Sequence, residues 1–519
     1  MTNPRTTKTI YLLLGVLGVS LLVGILVPLI LPSGTYILSW LATFILLFIV
    51  LALLILIWQG AGGGKQLLWM MVLAFSLRLV LGIFLSWGLP LFGYAEESQQ
   101  GGYLFYDAFR RDVQSWELAS SGASLFKAFS GEFTSDQYGG LLMISALIYR
   151  LLSPDAHRPY LMIILGAGAS ALGVPFIVAA LRRKFNEKTA ILGGWMMALY
   201  PESLLLGSSQ MREPFLIALF ALTFWGVITW FEKDRPRRDA VLAIFIGLIG
   251  LFLFSSRVAI PVLGAILVCF WLDYSGRSSK KWLQLSGWFV IGATALVIGF
   301  LSWGWLREAI HWDTLLTISN SGWVEFALEK VPEWVKTPFV IIYGLFQPVL
   351  PAAIVDPAPW IWRSIGILRG IGWYAMLPFI IYGFFGVWRV EDKSRRRLLV
   401  WLAVIVWGWI VLSSARAGGD QWDNPRYRTI FLPWMATLAA WAISWVKAKQ
   451  DRWLGRWLII EGIFLGFFTE WYISRYYSFI GNLPFWLMVV LIIVLSAGVL
   501  VGGWLWDRKH PRFPHSTDP

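Results

Sequence analysis

The sequence predicts an all-α fold, a polytopic bundle of about 13–14 membrane-spanning helices. Three observations predict it. The 519 residues are 58% hydrophobic and only 14% charged, whereas charged residues make up about a quarter of a soluble chain. Apolar runs of the roughly 20 residues needed to cross a bilayer as a helix recur along the chain. The 33 tryptophans suit a protein with many membrane interfaces, where indole rings anchor.

In chain order the expected spans are 9–31, 36–58, 67–89, 159–182, 188–206, 213–231, 239–254, 257–273, 283–305, 370–390, 398–414, 429–447, 453–475 and 484–505. The first follows Met-Thr-Asn-Pro-Arg-Thr-Thr-Lys without a small-residue cleavage site, so it reads as a retained anchor. Spans 239–254 and 398–414 are short for a full crossing. Tyr138 to Leu152 is apolar but short and reads as a helix at the outer interface. Pro338 to Val355, with Pro338, Pro348 and Pro351, reads as a re-entrant or interfacial hairpin. Only the tail, Pro511 to Pro519, has the look of a disordered end.

Lysine and arginine set the expected direction. With both termini cytoplasmic, Lys65, Arg182 to Lys184, Lys233 to Arg238, Arg277 to Lys281, Arg389 to Arg397, Lys447 to Arg456 and Arg508 to Arg512 all fall inside. The stretch Phe92–Gly140 falls outside, with Ser208–Arg212, Ser255–Arg257, Arg307–Lys336 and Ala415–Arg428. The formal charge of +13 is therefore a topology signal in short loops, and no nucleic-acid partner is expected. The lone cysteine, Cys269, excludes an intramolecular disulfide and a cysteine metal cluster. The histidines, His157, His311, His510 and His515, form no ligand spacing, and each reads as a solvated loop residue.

Chemistry-bearing residues gather on the expected outer side. Tyr103 to Asp112 carries Asp107, Arg110, Arg111 and Asp112 between aromatics, with Asp136 later in the loop. As a helix, this segment puts Asp112, Trp116 and Ala119 on one face. The competing reading is a solvated loop whose charges pair with each other. Arg78 sits mid-span, which costs about 2.5–3.5 kcal/mol on insertion scales. It is expected to face the bundle interior and pair with a carboxylate or a ligand phosphate, unless it snorkels. Glu213, beside Arg212 and Pro214, either serves function or complements the helix dipole. Arg257 lies in a tight turn, and Asp423, Arg426 and Arg428 precede a span. Carboxylates that can act as bases, mixed with arginines that grip phosphate, suit transfer from a phosphorylated lipid donor. They suit a proton-coupled transporter less, since its ionisable groups would sit near the midplane.

Asp112-Val113-Gln114-Ser115-Trp116-Glu117-Leu118-Ala119-Ser120-Ser121-Gly122, preceded by Arg78 in a span, resembles the opening of GT-C superfamily glycosyltransferases. Val113 stands where the family usually has a second acid, and Trp116 where it has a tyrosine. Tyr138 to Leu152 resembles the family's juxtamembrane helix. Pro425-Arg426-Tyr427-Arg428 resembles an arginine-bearing motif late in bacterial members. The pattern is related to protein mannosyltransferases and aminoarabinose transferases.

The resemblance covers roughly 67 to 447. It implies a catalytic core at 67–447 with outside loops 92–158 and 306–369, added spans at 1–66, and trailing spans with a cytoplasmic tail at 448–519. It further implies transfer of a sugar from a polyprenyl-phosphate donor to a lipid, glycan or protein acceptor, in a bacterial plasma membrane. Asp112 would be the catalytic base, with Asp107 the fallback. Arg78, Arg212, Glu213, Arg257, Asp423, Arg426 and Arg428 would bind substrate. No metal-binding residues are assigned; the carboxylates could hold a divalent metal, though nothing in the sequence requires one. The alternatives are an O-antigen-type polysaccharide polymerase, a lipid or glycan flippase, or a membrane scaffold.

Overall fold

The computed structural model describes residues 4–131, 133, 139–232, 237–277, 280–294, 332–477 and 483–510, with isolated positions between 296 and 308. Asp136, Tyr138, His311, His515, most of 295–331 and the tail from 511 lie outside the described residues. Every regular element among the described residues is helical. Among the described residues, ten helices are long and apolar enough to cross a membrane, or up to twelve if each of two bent pairs is one span. The chain is a multi-pass membrane protein with an all-α fold.

The chain divides into two compact units. The first is Met1–Val262 with Pro359–Ile361, and the second is Leu263–Ala358 with Trp362–Pro519.

In the first unit, α1 (Pro4–Ile30), α2 (Tyr36–Gly60) and α3 (Lys65–Phe92) are long apolar helices. The short α4 (Glu97–Gln100), then α5 (Tyr106–Ser120) and α6 (Gly140–Leu152), form the first polar excursion. After it come α7 (Tyr160–Lys184), α8 (Glu187–Leu199), α9 (Pro201–Gly207), α10 (Glu213–Trp230), α11 (Arg237–Phe254) and the start of α12 (Ser256–Arg277). Helix α7 is the hub: 83% of its span is buried, against α2, α3, α8 and α10. Its small residues, Gly166-Ala167-Gly168-Ala169-Ser170-Ala171, explain why, since small residues let helix backbones approach closely. A Cβ on Gly168 would stand 2.5 Å from Val50.

Helices α8 and α9 form one bent pair, turned by 51° at Tyr200–Pro201. Pro201 has no N–H, so it leaves the carbonyl of Met197 without its helical donor. Arg78 of α3 fills that position. Its Nη2 donates to Met197 O at 3.3 Å and to Ser203 Oγ at 2.9 Å. Its Nη1 donates to Ala198 O and to Ala74 O, both at 2.9 Å. Arg78 is fully buried, as expected of a costly intramembrane charge. Its hydrogen-bond partners, however, are backbone carbonyls and a serine hydroxyl rather than a carboxylate.

The second unit holds the remainder of α12, a helical stretch at 281–294, α13 (Glu333–Leu345), α14 (Leu350–Val355) and α15 (Trp360–Gly386). It continues with α16 (Lys393–Ala417), α17 (Asp423–Thr429), α18 (Leu432–Lys449), α19 (Trp453–Tyr477) and α20 (Phe485–Lys509). Val349, Val355, Trp471, Tyr472 and Met488 form a core between α14, α19 and α20. Only 17% of the α19 span and 6% of the α20 span is buried, so most of their apolar side chains are left to lipid.

Several expected boundaries change. The span drawn at 370–390 begins ten residues earlier, at Trp360. The span drawn as short, 398–414, is a 25-residue helix, Lys393–Ala417, once Lys393–Arg397 and Ala415–Ala417 are counted. Those cations are exposed or half-buried at the helix start, so charge hid a helix that the backbone continues. The span at 239–254 is an 18-residue helix whose first three residues are charged, which shortens its apolar length. The span at 283–305 lies partly outside the described residues. The stretch 338–355 is broken into α13 and α14 rather than one crossing, and α6 is a 13-residue amphipathic helix packed on α5.

Candidate functional site

Helix α5 carries its buried residues, Ala108, Arg111, Asp112, Ser115, Leu118 and Ala119, at helical spacing, and this face packs on α6. The expected shared face is therefore present, and Asp112 lies on its inward side, 3% exposed. A buried carboxylate must be hydrogen-bonded or it costs several kcal/mol, on the order of the penalty per ion in a protein interior.

Three side chains meet that need. Tyr149 of α6 donates its hydroxyl to Asp112 Oδ1 at 2.5 Å. Tyr103, just before α5, donates to Oδ2 at 2.5 Å. His157, between α6 and α7, brings Nε2 to 2.9 Å from Oδ2. Burial, and then the Asp112 charge, push both phenols well above the usual tyrosine range, so both stay protonated and donate.

Local backbone explains the approach of Tyr103. Gly102 has φ +78°, and a Cβ there would stand 2.6 Å from the carbonyl oxygen of Ser86. Only glycine fits both conditions. The ring of His157 stacks on Trp116, centroids 5.3 Å apart and planes 18° apart, and meets Tyr149 edge-on at 5.1 Å. The loop carrying His157 is tied down by Arg158. Its guanidinium donates to Asp155 at 2.6 and 2.8 Å, to Ser39 Oγ at 2.8 Å and to Ser153 Oγ at 2.9 Å. The Arg158 hydrogen bonds hold the Asp155 carboxyl down at about 2.

Asp112 opens into a cleft lined by Ala108, Arg111, Leu141, Ser145, Met162, Gln210 and Phe215. Counting its mouth, the cleft is about 260 Å³, and its enclosed part has room for about one water. Gln210 reaches it from the turn before α10 in a left-handed conformation, φ +48°. A non-glycine residue there carries strain of the kind that clusters at functional sites.

The other expected residues divide between the units. Asp107 is exposed in the first turn of α5, where the helix dipole favours a carboxylate. Glu213 is fully buried in the first turn of α10, with Arg212 Nε 4.0 Å from its Oε1. Arg257 is exposed in the first turn of α12. None of these three lines the Asp112 cleft. Asp423, Arg426 and Arg428 belong to the second unit. Arg426 pairs with Asp423 at 3.2 Å, and Tyr427 donates to the same carboxylate at 3.1 Å. Arg428 is fully buried over the face of Trp373, 3.3 Å from its centroid, and donates to Gln347 O at 2.7 Å. These contacts make Arg428 a tie between α17 and the α13–α14 break.

His157 requires a correction. Read as a solvated loop residue, it is instead 25% exposed and bonded to the central carboxylate. Sequence spacing could not reveal this, since Tyr149 and His157 stand 37 and 45 residues from Asp112. Among the described residues no group of three metal-ligating side chains stands together. No protein-family model matches the chain, and no curated protein matches it.

Proposed function

We propose that this chain is a membrane glycosyltransferase of the GT-C type, which moves a sugar from a polyprenyl-phosphate donor to an acceptor hydroxyl. The observation that carries the reading is the shared cleft of Asp112 and Arg111, a buried carboxylate beside a buried guanidinium. A carboxylate accepts about four hydrogen bonds. Tyr103, Tyr149 and His157 supply three, and the remaining direction is on Oδ1. An acceptor hydroxyl donating there is oriented for attack.

As its oxygen bonds to the anomeric carbon, its proton passes to Asp112. The bond from that carbon to the lipid phosphate breaks, and its electron pair leaves on the phosphate oxygen. Arg111, which lines the same cleft, stabilises that charge. Base and leaving group on opposite faces of the sugar give inversion. The enclosed part of the cleft suits a hydroxyl, with sugar and phosphate at its mouth. The lysine and arginine pattern supports a cytoplasmic location for both termini and an outer location for the cleft.

The test is transfer itself. Purified protein in liposomes is given radiolabelled polyprenyl-phosphate sugars and extracted membrane glycans or lipids. Label should move to an acceptor with the unaltered protein and not with Asp112→Asn. A ladder of repeat units would identify a polymerase instead, and no transfer from any donor would sink the reading.

A further inference from the structure

We infer that His157 is a positioning residue for Asp112, coupling that carboxylate to the pH of the water its loop borders. The inference rests on the reading of Asp112 as the base, and on geometry beyond it. Asp112 is 3% exposed and His157 is 25% exposed, so the imidazole is the member of the pair that meets solvent. Both tyrosine hydroxyls donate to the carboxylate, which is therefore the acceptor on every side. Nε2 must then carry a proton, whether the ring is neutral or charged.

The ring is not free to turn away when its charge changes. Trp116 covers one face and Tyr149 abuts it edge-on. Asp112 from α5 faces Nε2, while Tyr149 from α6 and Tyr103 are protonated donors to that same carboxylate. On its own loop, Asp155 and Arg158 bond to each other. Arg150 on α6 is engaged with the carbonyls of Leu118 and Ala123.

The sign follows. A neutral imidazole gives Asp112 one orienting hydrogen bond and leaves its charge available. An imidazolium sets a positive charge against the carboxylate and weakens it as a base. Turnover therefore falls when the ring gains its second proton. A residue that merely braced the loop would add nothing to the acid-side fall that protonation of the base itself causes.

Two variants separate these roles. His157→Gln keeps an N–H that reaches Asp112 but never becomes charged. It should retain alkaline turnover within about threefold and lose the part of the acid-side fall that a second ring proton causes, because its amide gains none. His157→Phe keeps the stack and removes the donor, and it should be slower by about tenfold or more at alkaline pH. An unchanged acid limb in His157→Gln, or normal turnover in His157→Phe, would overturn the inference. A second measurement needs no sugar transfer. In the ¹⁵N spectrum at fixed pH, Asp112→Asn should shift the His157 Nε2 resonance, since the facing charge is gone. An unmoved resonance overturns the pairing. A moved resonance in a protein that transfers no sugar leaves the pair standing and removes the transferase reading.

Discussion

Asp112→Asn separates the structural duty of this carboxylate from its chemistry. The amide oxygen can take the place of Oδ2 and accept from Tyr103 and His157. The amide nitrogen then faces Tyr149, whose hydroxyl turns from donor to acceptor. All three contacts survive without charge assistance, dropping from roughly 1.5–3 to about 0.5–1.5 kcal/mol each. That loss, about 3 kcal/mol in total, is offset because asparagine has no charge to desolvate at a buried position. Stability should therefore change little, and the melting midpoint in detergent should stay within about 5 °C.

Chemistry should not be spared. Loss of a general base costs about two to four orders of magnitude in turnover, or roughly 3–5 kcal/mol of barrier. The assay pairs single-turnover transfer with donor binding and melting on the same preparation. Turnover within about threefold of the unaltered protein would refute the role given to Asp112. If Asp107→Asn then proved inactive, the base would be Asp107. Normal turnover in both would send the search to Glu213 and Asp423.

Three further outcomes are expected. Arg78→Leu should insert normally but melt lower, because the carbonyls of Met197 and Ala198 and the Ser203 hydroxyl lose their donor at roughly 1–3 kcal/mol each. Gly207→Ala, whose Cβ would stand 2.6 Å from Arg78 Cδ, should shift melting the same way, and unchanged midpoints in both would refute the tie. Asp155→Asn should lower the melting temperature near pH 6. The Asp155 carboxyl is held at about 2, so its contribution is present above the ordinary value of 3.8 and fades as pH falls toward 2. A gap between the two proteins that stays constant down to low pH would contradict the pairing. Cysteine at Gly131 should label from outside intact cells and cysteine at Ser394 only after permeabilisation, as the cation distribution requires; outside labelling at Ser394 would reverse the topology.

What the sequence determined by itself was the solvent and the secondary structure. Apolar runs of spanning length, interrupted by basic loops, can be accommodated only by helices that satisfy their own backbone in lipid. The same composition made Arg78 and the polar stretch around Asp112 stand out, because a charge beside or within lipid is costly wherever it occurs. Helix periodicity also foretold that Asp112, Trp116 and Ala119 share one face of α5; the structure turns that face inward, with Asp112 and Ala119 buried.

The tertiary structure decided what each of those groups touches. Arg78 was expected to meet a carboxylate or a ligand phosphate; Pro201 leaves a carbonyl without its donor on a facing helix, and Arg78 donates there. Arg428, read as a phosphate ligand, lies over Trp373 and ties down the carbonyl of Gln347. His157, Tyr149 and Tyr103 converge on Asp112 from three separate segments, brought together by the packing of α5 on α6 and by the loop that Arg158 secures. Such convergence has no period along the chain. It arises because a buried carboxylate must find donors wherever the folded backbone supplies them.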